Sequence, residues 1–180
     1  MNAPDLLDNP AGQLESVFKR IAATRMAGVG ILNPALEVEA VGFRRWGNEW
    51  VGVLITPWFM NLICLPSPAS TWDGLSSGTK RNRELPSGSY EFLTAQEDEL
   101  GPYLTSSLFS PMFDFPDMER AREVAAATLA EVFTPAASET LPEAAPVQPS
   151  PQPVGLVAKL EQPVSRRGFF GAFLRPGGKT

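Results

Sequence analysis

Apolar positions recur at helical spacing at both ends of the first 133 residues. Leu14, Val17, Phe18, Ile21 and Ala22 share one face, opposite Glu15, Lys19 and Arg20. Asn9 can cap free amides, Pro10 is tolerated in a first turn, and Gly28 offers a stop. The spacing therefore predicts an amphipathic helix from about residue 9 to 26. The second pattern, Met118, Ala121, Val124, Ala125, Thr128, Leu129, Val132 and Phe133, opens at Pro116, with Asp117 and Glu119 near the positive end of its dipole.

The periodicity between these helices is that of strands. Val38, Val41 and Phe43 lead to Gly47-Asn48, a pair at ease with positive φ, and then to the most apolar run in the chain, residues 50–66. This predicts a hairpin of strands near 37–45 and 49–56. Apolar order in the run is continuous, as in a strand covered on both faces, and Pro57, unable to sit inside a central ladder, marks a corner. Tyr90 and Phe92 share one face of a strand at 89–95, and a further strand fits 103–108. The Ser, Pro, Gly and Thr between Pro66 and Gly88 read as a long loop, from which Trp72 and the cluster Lys80-Arg81-Asn82-Arg83 stand out.

The fold class is α+β: a small, mainly antiparallel sheet packed by an N-terminal and a C-terminal helix, in a domain spanning residues 9–133. Residues 134–164 hold many of the chain's 18 prolines among Ala, Ser, Glu and Gln, a composition that predicts a disordered linker. Residues 165–180 contain a compact motif with a charged half and an aromatic half.

Two blocks lack clear periodicity. Trp58-Phe59-Met60-Asn61-Leu62 and the stretch from Leu108 to Pro116 each crowd aromatics, thioether and proline. Such crowds serve either core packing or a partly exposed recognition surface, and the residues alone leave both open. If both blocks line one end of the sheet, Trp58, Phe59, Met60, Pro111, Met112, Phe113 and Phe115 make an apolar, deformable groove for a peptide. Asn61 then fixes backbone geometry or hydrogen-bonds the bound segment, and Trp72 joins the same partner-binding set. Lys80 and Arg81 either form a solvated edge or steer an acidic partner segment. Glu97, Asp98 and Glu99 lack the spacing of a calcium loop and read as a solvated acidic turn.

Composition narrows the function classes. At 180 residues, 43% hydrophobic and 19% charged, the chain can bury one substantial core, and a net charge of −5 disfavours nucleic acid as a general partner. There is no histidine and one cysteine. That removes His-based acid–base catalysis, Ser-His-Asp and Cys-His nucleophiles, intrachain disulfides and most metal-site chemistry. Cys64, inside the apolar run, reads as a buried inert thiol. No metal or cofactor is expected. The first residues lack the basic start of a secretory signal and no apolar run is long enough to span a bilayer, so the expected compartment is the cytoplasm.

Four segments, in order, carry a family resemblance: Thr56-Pro57-Trp58-Phe59-Met60-Asn61-Leu62, Gly78-Thr79-Lys80-Arg81, Tyr90-Glu91-Phe92-Leu93, and Leu108-Phe109-Ser110-Pro111-Met112-Phe113-Asp114-Phe115. From the first helix through Phe133, the chain resembles the HybE-type [NiFe]-hydrogenase assembly chaperones, a group that includes the HupJ and HoxT proteins. The resemblance implies a small cytoplasmic accessory protein, not an enzyme, that engages hydrogenase precursors during maturation. Its partners would be the small-subunit precursor, which bears a twin-arginine signal peptide, and the large subunit, with the precursor held back from export. Glu97, Asp98 and Glu99 would then be the carboxylates that pair with signal-peptide arginines. The rival class is a metal carrier, with carboxylates alone to hold a hard cation, or an accessory structural subunit of the hydrogenase complex.

The last motif carries a second resemblance. Ser165-Arg166-Arg167-Gly168-Phe169-Phe170 is similar to the twin-arginine signal consensus. It lies at the opposite end from a true signal, and Arg175-Pro176 cuts its apolar part short, which points away from export. It reads instead as a tethered mimic that occupies the chaperone's own signal-binding surface or competes for another signal-binding protein.

Overall fold

The structure is a computed structural model that describes residues 9–67, 72 and 74–135. All of the 165–180 motif and the linker from residue 136 onward lie outside the described residues. The first helix, α1 (Ala11–Ala23), starts where Asn9 Oδ1 accepts from the Ala11 amide at 3.0 Å and buries Leu14, Val17, Phe18 and Ile21. It ends three residues short of the expected 26.

Six strands follow: β1 (Glu39–Trp46), β2 (Glu49–Ile55), β3 (Met60–Pro66), β4 (Lys80–Leu85), β5 (Gly88–Glu97) and β6 (Gly101–Phe109). They form one antiparallel sheet in the order β1-β2-β3-β6-β5-β4. The second helix, α2 (Met118–Val132), is capped by the Asp117 carboxylate, which accepts from the Arg120 amide at 2.8 Å. The α+β expectation with a helix at each end therefore holds.

Two strands differ from the sequence reading. β3 carries the second half of the apolar run, whose first residues looked like pocket lining. It is a central strand, and Leu62, Ile63, Cys64 and Leu65 alternate between two covered faces. β4 lies inside the segment read as a long loop. Its sequence, Lys-Arg-Asn-Arg-Glu-Leu, is that of a charged outer strand, where positive side chains discourage edge-to-edge pairing.

α1 packs on one face of the sheet over Phe43, Trp50, Leu54, Ile63, Leu65 and Tyr103, and α2 on the other over Val51, Val53, Leu62, Cys64, Phe92 and Leu104. Gly52 makes the close approach of Phe43 possible: a Cβ there would lie 2.3 Å from the ring. Glu15 on α1 accepts from the Ala40 amide of β1 at 3.0 Å and from Lys19 at 2.9 Å. Burial works against its charge, but these two donors outweigh it and hold the carboxyl below its ordinary value. Ser87 fixes the end of α2, where its amide and hydroxyl both donate to the Val132 carbonyl at 3.2 and 3.0 Å.

Candidate functional site

Three loops meet at one end of the sheet. The β2–β3 turn is built by Thr56, whose hydroxyl accepts from the amides of Trp58 and Phe59 at 3.3 and 2.9 Å and donates to the Phe59 carbonyl at 3.0 Å. Hydroxyl residues favour turns because they satisfy such amides locally. The β6–α2 loop adjoins it: Ser110 Oγ donates to the Trp58 carbonyl at 3.3 Å.

Asn33, from the α1–β1 loop, ties all three together. Its amide donates to the Pro57 carbonyl at 2.8 Å, and its side-chain Nδ2 donates to the carbonyls of Met112 and Phe115 at 2.9 and 2.8 Å. Its Oδ1 accepts from the Ala35 amide at 2.9 Å. In the sequence, an asparagine before proline signals a turn and says nothing of a partner nearly eighty residues away.

The two aromatic blocks thus do come together in space, but not as an open cradle. Met60, Met112 and Phe115 are sealed in the core under α2, at 0, 0 and 1% exposure, and Trp58 is buried on the α1 side. Phe59 is half-buried, edge-on to Phe18 at 5.8 Å and to Trp58 at 5.5 Å. The expected groove is corrected here: its thioethers and most of its rings face inward because the sheet has two covered faces and needs them as filling. Pro111 and Phe113 remain outside. Phe113 is 57% exposed, whereas Met112 before it and Phe115 two residues after it are fully buried, and Val29 and Ile31 are also exposed near Asn33 in sequence.

The other candidates lie elsewhere. Asn61 donates to Thr105 Oγ1 at 2.8 Å, and its Oδ1 is buried with no hydrogen-bond partner. Trp72 is half-buried beneath Arg83, whose guanidinium lies 5.4 Å from its ring. Lys80 pairs with Glu91 at 3.1 Å, while Arg81 is exposed on the outer strand. Glu97 is paired with Arg25 at 2.6 Å, and Glu99 with Arg20, around a polar cleft of about 450 Å³ that Asp98 also lines. The bond to Glu97 raises the pKa of Arg25 further. An incoming guanidinium would have to displace this chain's own arginines there.

Burial pushes the Cys64 thiol well up, and among the described residues no group of three or more Cys, Asp or Glu is placed to hold a metal ion. Among the same residues no helix is long and apolar enough to cross a membrane.

Residues 9–172 match the family described as "[NiFe]-hydrogenase assembly, chaperone, HybE". The chain belongs to the HybE family. This match runs past Phe133, where the resemblance of the sequence segments ends. A hydrogenase expression/formation protein HupJ of Bradyrhizobium diazoefficiens is 42% identical over 70% of this chain and 73% of its own length. A probable rubredoxin HupJ of Rhodobacter capsulatus is 40% identical over 73% of this chain, and the match spans only 49% of that protein. The chain thus aligns with about half the length of that relative. The solution structure of HybE from Escherichia coli covers 82% of this chain and 93% of its own, with a TM-score of 0.59 at 24% identity, which shows a shared fold.

Proposed function

We propose that this HybE-family chain is a cytoplasmic assembly chaperone and not an enzyme. It binds the immature [NiFe]-hydrogenase small subunit, through its twin-arginine signal peptide, and assists its pairing with the large subunit. The observation that carries the reading is Phe113, a large ring more than half exposed on a loop whose neighbours Met112 and Phe115 are fully buried. Rigid presentation of an aromatic lowers the ordering cost of binding, as expected of a hot spot. The contact surface differs from the open groove of the sequence reading: Phe113 and Pro111 face the client, while Met60, Met112 and Phe115 support them from below.

A metal-carrying role finds no support in nitrogen or sulfur donors, since histidine is absent and the one thiol is buried in β3, and among the described residues no three carboxylates are grouped to hold a hard cation. The rubredoxin in one relative's name does not carry over either, because a four-sulfur iron site needs four thiolates.

Co-purification of this chain with the small-subunit precursor, the same subunit without its signal peptide, and the apo large subunit tests the reading. Retention of the precursor and loss on removal of the signal are expected. Equal retention of both forms would reject signal recognition, and retention of none of the three would reject the chaperone role.

A further inference from the structure

We infer that Asn33 is the positioning residue of the client-contacting loop: its amide latch sets how Phe113 is presented. This deepens the preceding reading and rests on Phe113 being a client contact. Asn33 is 7% exposed, so it reaches a partner only through what it holds. Both hydrogens of Nδ2 are used, one on the carbonyl of Met112 and one on that of Phe115. These carbonyls flank Phe113-Asp114, and the Phe115 amide closes the turn onto the Met112 carbonyl at 3.2 Å. One side chain therefore grips both ends of the two-residue tip. Its Oδ1 and backbone amide anchor that grip to Ala35 and to the Pro57 corner, so the loop is fixed relative to the β2–β3 turn.

An exposed ring gains little from its own contacts in the free protein. Its geometry is set from beneath, by buried Met112 and Phe115 and by Asn33. Without the latch, the Phe115 carbonyl loses the donor that Asn33 supplies and the Met112 carbonyl keeps only the Phe115 amide, so the tip gains conformations in which Phe113 no longer projects from a fixed base. Asn33 acts on the client through Phe113, and the two residues should behave as one unit in binding.

A double-mutant cycle on the full chain tests this, with affinity for the signal-bearing small-subunit precursor as readout. Phe113→Ala should weaken binding about tenfold or more, the scale of a hot-spot ring. Asn33→Asp keeps the acceptor for the Ala35 amide but places an oxygen against two carbonyls, and it should weaken binding by a similar factor. The double variant should bind no more weakly than Phe113→Ala alone. Losses that multiply, or full affinity in Asn33→Asp, would overturn the inference while leaving Phe113 as a contact. Full affinity in Phe113→Ala would overturn both.

Hydrogen exchange on the unmodified chain keeps the test decisive if the Asn33 variants do not fold. Precursor binding should slow the amides of Ala35, which reports the latch, and Phe115 together. Slowing at Phe115 with Ala35 unchanged would contradict the coupling.

Discussion

The indole Nε1 of Trp46, at the end of β1, donates to the carbonyl of Glu84 in β4 at 3.1 Å. These strands are the two edges of a six-stranded sheet. Laid flat, the edges would stand about 24 Å apart, five spacings of about 4.8 Å. The sheet is therefore curled until its corners meet around α2. Arg83 of β4 makes the same crossing to Glu49 of β2, its Nε 2.9 and 3.0 Å from the two carboxylate oxygens. Phe133, just past α2, sits in the closure, edge-on to Trp46 at 5.9 Å with the Arg44 guanidinium 4.3 Å above its ring.

That closure gives a first prediction. Trp46→Phe keeps an aromatic against Phe133 but removes the donor to Glu84. It should cost about 0.5–1.5 kcal/mol, toward the low end because Trp46 is 41% exposed. Denaturant unfolding gives the magnitude, and hydrogen exchange should show the loss concentrated in β4 and β1. An unchanged midpoint and exchange pattern would mean that α2 and the Arg83–Glu49 pair hold the curl without this bond.

Met112 and Phe113 are neighbours with opposite environments, and their truncations should separate. Met112→Ala opens a cavity in the core and should cost about 2–5 kcal/mol. Phe113→Ala should stay within about 0.5 kcal/mol of the unmodified protein, as for an exposed side chain without buried partners. Thermal melts compare them directly, and equal destabilisation would show that Phe113 packs against the domain.

How far the sequence discloses this arrangement depends on the number of faces each element covers. Leu14, Val17, Phe18 and Ile21 sit on a single buried stripe, so helical spacing announces α1. Gly47-Asn48 announces the β1–β2 hairpin, and Trp46 does pair with Glu49 across it. β3 is covered on both sides, so Met60 to Leu65 show no alternation, and an apolar crowd after Pro57 looks like a pocket as much as a strand. β4 is hidden for the opposite reason: an outer strand needs charge, and Lys80 to Glu84 carry the composition of a loop. The site is less legible still. Whether Met112, Phe113 or Phe115 faces out follows from a loop conformation fixed by Asn33, and no period in the sequence encodes that contact.

The α1 side of the sheet predicts an alkaline weakness. Burial first, and Glu97 second, push the Tyr103 hydroxyl up to about 12, against a smaller pull from Arg25. The neutral phenol is thus favoured in the folded state. Its contribution is fully present below the unfolded value of about 10 and is lost as pH rises from there through about 12. Stability measured between pH 9 and 12 should fall more steeply in the unmodified protein than in Tyr103→Phe. Parallel slopes would contradict the assignment.

The most direct test of the account compares two exposed apolar residues. Phe113 and Leu93 are 57% and 44% exposed, but only Phe113 lies on the loop that Asn33 holds. Affinity for the signal-bearing hydrogenase small-subunit precursor should drop about tenfold or more in Phe113→Ala, at an unchanged melting temperature, and stay level in Leu93→Ala. Full affinity in Phe113→Ala, or an equal loss in both variants, would contradict the claim that this loop is where the client is held.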